Sequence, residues 1–132
     1  MHAPRQRISV VNDNPDFLEL MAAILDEDAG YEVSLHHGEE MPLAELRAAH
    51  PDLIVMDLLL GQTSGWELIA LARTDDALRD VPVVVCSADI AQLRDRSTEL
   101  SQIAGLHVLQ KPFSVDELTE LVERVLSEPA GR

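Results

Sequence analysis

The chain has 132 residues, 46% of them hydrophobic, which is enough for one core without metal or disulfide staples. Ten basic against 24 acidic side chains leave a formal charge of −14, which argues against direct binding to nucleic acid or an anionic membrane surface. No run approaches the roughly 18 apolar residues of a membrane span, Met1–Arg7 lacks the apolar centre of a signal peptide, and the one cysteine has no internal partner, so a cytoplasmic protein without disulfides is expected.

Short β-rich apolar runs alternate with amphipathic segments, the pattern of βα units stacked into a parallel sheet with helices on both faces. The first strand is expected at Ile8–Val11. A helix follows over Pro15–Asp28, with Asn14 as its cap, Pro15 as its first residue, and Phe17, Leu18, Met21, Ile24 and Leu25 at helical spacing. Tyr31–Leu35 reads as the second strand, Pro42–Ala49 as a short helix, Leu53–Met56 as the third strand and Trp66–Arg73 as the next helix. Val83–Cys86 is the fourth strand, with Cys86 expected as a buried, inert thiol. A polar helix is expected at Ile90–Ala104 and a fifth strand at His107–Leu109. Ser114 and Glu117 then form a capping box ahead of Leu118, Leu121, Val122 and Val125. One domain over residues 1–132 is expected, its core at about 7–127 and its ends frayed, with no linker to an output domain.

In an open parallel sheet the functional crevice lies beyond the carboxyl ends of the strands. Asn12 and Asp13 follow the first strand, Asp57 the third, Ser87 the fourth, and Lys111 with Pro112 the fifth. Lys111 is the single lysine of the chain, so it is not one of many interchangeable solubilising charges. A carboxylate nucleophile, hard oxygen donors for a cation, a hydroxyl and an ammonium suit phosphoryl transfer to a carboxylate.

The runs Val10-Val11-Asn12-Asp13, Ile54-Val55-Met56-Asp57, Ser87-Ala88 and Lys111-Pro112-Phe113 resemble the receiver domains of response regulators, in the family's order and spacing. The resemblance covers roughly residues 7–127 and implies a flavodoxin-like, doubly wound (βα)5 sandwich. Its 2-1-3-4-5 strand order is the standard illustration of that fold and comes with the resemblance, not from the residues. The resemblance further implies Asp57 as phosphoacceptor and Mg2+ as cofactor, held by Asp13, Asp57 and the backbone carbonyl of Leu59, with Asn12 acting through water. It makes Ser87 the switch hydroxyl and Lys111 the phosphoryl-pairing lysine before a cis Pro112. The implied partner is a sensor histidine kinase or phosphotransfer protein. The chain would act as a stand-alone phosphorelay module that assists its own phosphotransfer and dephosphorylation without being a conventional enzyme, and that passes its state to a target by switched binding.

Two departures stand out. Asn12 replaces one of the two adjacent acids usual in the family, and Val108 stands where an aromatic side chain often turns with the switch hydroxyl. They motivate an alternative, a pseudo-receiver serving as a non-phosphorylated interaction scaffold. A phosphohydrolase with a general acid two residues after its nucleophile does not fit, because residue 59 is leucine. A flavodoxin would need a Ser/Thr/Gly-rich phosphate loop after the first strand, where Asn12–Asp16 is acidic, and a Walker lysine loop is absent. His36 and His37 point to opposite faces and read as solvated loop residues rather than metal ligands. Trp66 reads as packing at the start of its helix.

Overall fold

The computed structural model describes residues 6–28, 30–37, 43–57, 59–60, 63–87, 106–110 and 113–127. Along the chain come β1 (Arg7–Asn12), α1 (Pro15–Ala22), β2 (Glu32–His37), α2 (Leu43–Ala49), β3 (Leu53–Asp57), α3 (Gly65–Thr74), β4 (Val83–Ser87), β5 (Leu106–Gln110) and α4 (Val115–Ser127). The five strands form one parallel sheet in the order β2-β1-β3-β4-β5. This is the expected doubly wound architecture. The predicted helix at 90–104, and with it any structure of Lys111 and Pro112, lies outside the described residues.

Period-2 alternation divides the core into two layers. Ile8 and Val10, Leu53 and Val55, and Val84 and Cys86 face Leu18, Met21 and Leu25 of the first helix and Leu118, Val122 and Val125 of α4. Val11, Ile54, Met56, Val83 and Val85 face the other way, onto Leu46 of α2 and Leu68, Ile69 and Ala72 of α3. Each fully buried side chain of leucine size contributes about 1.5–3 kcal/mol. Cys86 is buried, as expected.

The expected caps form. Asn14 Oδ1 accepts from the Asp16 amide at 2.9 Å, with Pro15 opening α1. Ser114 Oγ accepts from the Glu117 amide at 3.0 Å, and Glu117 returns a bond to the Ser114 amide at 3.3 Å. The first helix differs from expectation at its end, where Ala23–Asp28 winds as a π-helix. Its closure is correspondingly wide: Tyr31 N–H reaches Leu25 O at 2.9 Å and Gly30 N–H reaches Asp26 O at 3.1 Å, each one residue longer than in a Schellman turn. Gly30 has φ 83°, a left-handed conformation that favours glycine.

The second strand also departs from its predicted limits, running to His37 rather than stopping at Leu35. His36 is therefore not a solvated loop residue. It is buried under α2, with Nδ1 3.2 Å from Glu45 Oε2 and Nε2 3.3 Å from Ser9 Oγ. A carboxylate only accepts, so Nδ1 donates to Glu45, and in the neutral ring Nε2 accepts from the Ser9 hydroxyl. His37, one position on, is exposed, as opposite faces require.

Candidate functional site at the carboxyl edge of the sheet

The strand register brings the candidate residues to one edge. Val11 pairs with Met56, so Asn12 and Asp57 end neighbouring strands at the same level, about 4.8 Å apart between strand axes. By alternation they share a face, the one covered by α1 and α4. Asp57 pairs with Cys86, which sets the backbone of Ser87 one residue, about 3.3 Å, further along the next strand. Ser87 in turn pairs with Gln110, the residue that leads into Lys111. Val108 is 41% exposed on the edge strand, paired with Val85, so Leu106 and His107 enter β5 without a register slip.

Asp13 and Asp57 are both half-buried, one on the bend after β1 and the other at the end of β3. Asn12 is 3% exposed. Its Oδ1 accepts from the Asn14 amide at 2.8 Å, closing an Asx turn around Asp13. That turn was not anticipated, although Asn-Asp-Asn-Pro is a strong turn signal. Leu59 lies in a two-residue antiparallel ladder, Leu59 with Ser64 and Leu60 with Thr63, also unforeseen. The ladder brings the chain back directly after Asp57 and feeds α3 at Gly65. The backbone of Trp66 lies in the first turn of that helix.

Two carboxylates on adjacent strand ends are hard oxygen donors. Among the described residues no three His, Cys, Asp or Glu side chains converge as a metal cage. This donor set fits magnesium, which keeps several waters and takes one or two carboxylates rather than a full protein shell.

A family profile described as "Response regulator receiver domain" matches residues 8–123. The chain belongs to that family. Its context is two-component signalling, and a receiver is a signalling domain rather than a conventional enzyme. The receiver is 32% identical over 124 residues to the phosphate regulon transcriptional regulatory protein PhoB of Pseudomonas aeruginosa, a match covering 90% of this chain and 51% of the relative. It is 28% identical to the polar-differentiation response regulator DivK of Brucella ovis, covering 92% of this chain and 96% of DivK. The chain spans between 26% and 52% of the length of the first four curated relatives, so the regulatory output of those longer proteins does not transfer to it. Among solved structures, the receiver domain of sensor histidine kinase PA1611 from Pseudomonas aeruginosa matches with TM-score 0.79 and 26% identity, over 94% of this chain and 99% of that one. That structure holds a magnesium ion coordinated in its active-site cleft. Among the described residues, no helix is long and apolar enough to cross a membrane.

Proposed function

We propose that this receiver accepts a phosphoryl group on Asp57 from a phosphohistidine of a sensor histidine kinase or phosphotransfer protein. The observation that carries the reading is the placement of Asp57 beside Asn12 and Asp13, at the edge where a parallel sheet presents its functional residues. A carboxylate oxygen of Asp57 attacks phosphorus, the P–N bond breaks, and the imidazole departs with the electron pair. Asp13, Asp57 and the Leu59 carbonyl would hold Mg2+, with Asn12 contributing at most through water. Bound there, the ion neutralises phosphoryl oxygen charge. Lys111 pairs with the phosphoryl group as a point charge, and Ser87 donates a hydrogen bond to it. Hydrolysis of the acyl phosphate resets the domain, which acts by altered binding to a target protein.

Intact mass after incubation with acetyl phosphate, with magnesium and with EDTA, tests the proposal. A magnesium-dependent gain of about 80 Da, one phosphoryl group, is expected. No gain under either condition would favour the non-phosphorylated scaffold.

A further inference from the structure

The Asx turn at the end of β1 assigns Asn12 a task that a second acid would perform differently. Asn12 Oδ1 accepts from the Asn14 amide at 2.8 Å, Asn14 Oδ1 accepts from the Asp16 amide at 2.9 Å, and Asn14 O accepts from the Leu18 amide at 3.1 Å. Strand end, bend and helix cap are thus tied together by successive acceptors, with Asp13 inside the tie. The orientation of the Asn12 amide follows, because its NH2 cannot face the Asn14 N–H when both only donate. The NH2 is turned away from the bend and carries no lone pair for a cation. An amide oxygen is also neutral, so the turn closes without adding a third negative charge beside Asp13 and Asp57. A carboxylate in the same place would add that charge and would need a cation to offset the repulsion.

We infer that Asn12 is a positioning residue that holds the Asp13 turn closed in the metal-free protein, so that the loop facing Asp57 is preformed without magnesium. The inference rests on the proposed phosphoacceptor reading for the meaning of the site, while the turn itself stands on its own hydrogen bonds.

Amide exchange of Asn14, followed by NMR in the full chain with EDTA and again with magnesium, tests it in the parent, Asn12→Ala and Asn12→Asp. In the parent the Asn14 amide should exchange about fivefold more slowly than in Asn12→Ala, the protection given by one ordinary hydrogen bond. That protection should be the same with and without magnesium. Asn12→Asp keeps an acceptor and adds the charge, so its protection should fall in EDTA and return with magnesium, a response that a merely structural acceptor would not show. Parent exchange as fast as in Asn12→Ala, parent protection that appears only with magnesium, or equal protection of Asn12→Asp under both conditions would each overturn the inference. Phosphoryl incorporation measured on the same parent sample separates the two proposals. A turn closed in EDTA with no mass gain from acetyl phosphate would sink the phosphoacceptor reading and leave the role of Asn12 in the turn standing. A mass gain with an open metal-free turn would do the reverse.

Discussion

The two edges of the sheet put their charged side chains to different uses. At the amino edge, acids and arginines are matched. Arg7 Nε pairs with Glu32 at 2.8 Å while the Arg7 amide donates to Asp52 Oδ2 at 2.8 Å, and Arg47 Nε donates to Asp75 Oδ2 at 2.8 Å, joining the end of α2 to the end of α3. Arg73 Nη1 donates to the carbonyls of Arg79 and Val81, at 3.1 and 2.9 Å, and so clamps the turn that enters β4. At the carboxyl edge two carboxylates, Asp13 and Asp57, are set on neighbouring strand ends, and the chain's single lysine follows β5 in sequence. The first edge ties helix ends and strand starts together, whereas the second carries the carboxylates of the candidate site.

Substitutions should therefore separate cleanly between the edges. The largest effect is expected from Asp57→Asn, which should abolish the phosphoryl mass gain while leaving the far-UV spectrum and melting cooperative, because the residue ends a strand instead of filling the core. Continued incorporation would show that another group accepts. Lys111→Arg should come next, retaining the charge but losing most incorporation or switching, because a planar fork does not replace a compact ammonium. Normal phosphoryl lifetime and target response in that variant would remove Lys111 from the site.

Arg73→Ala belongs to the other edge. Losing its two carbonyl bonds should cost about 1–3 kcal/mol in urea unfolding, with no change in phosphoryl incorporation. Two of its nitrogens, Nε and Nη2, are buried without a hydrogen-bond partner among the described residues, and burial pushes the guanidinium pKa down against the pull of Asp80. Either substitution removes both the carbonyl clamp and the unpaired donors, so Arg73→Met, which keeps most of the apolar stem, should cost less than Arg73→Ala. Equal losses in the two variants would mean that the stem contributes nothing and that the carbonyl clamp accounts for the cost.

The smallest effect concerns pH. The Arg47 hydrogen bond holds the Asp75 carboxyl below its ordinary pKa, helped by the Ala77 amide and opposed by burial. A depressed carboxyl stabilises the fold above its unfolded pKa, and that contribution is lost as pH falls through the folded value. Asp75→Asn should therefore lower the melting temperature slightly at neutral pH and show a shallower decline in acid than the parent. Parallel melting curves for parent and variant across the acid range would show that the pair contributes nothing to pH dependence.

Much of this contrast was legible in the residues themselves. The Asn14 cap, the Ser114–Glu117 box and the β-rich apolar runs lie within short windows, and local geometry alone decides them. The positions of Asp13, Asp57 and Ser87 at strand ends follow from the same windows. What only the tertiary structure decided depends on what lies across the gap. His36 looked like a loop residue because β2 is an edge strand with little periodicity, and its burial comes from α2 and Glu45, nine residues further on. The π-helical end of the first helix shows no distinct composition, since that helix continues the same apolar spacing. Asn12 appeared in sequence as a missing acid. Its use as a neutral acceptor emerges once the bend brings the Asn14 amide within 2.8 Å of Asn12 Oδ1, because a side chain's partner is set by the backbone around it and not by its own identity.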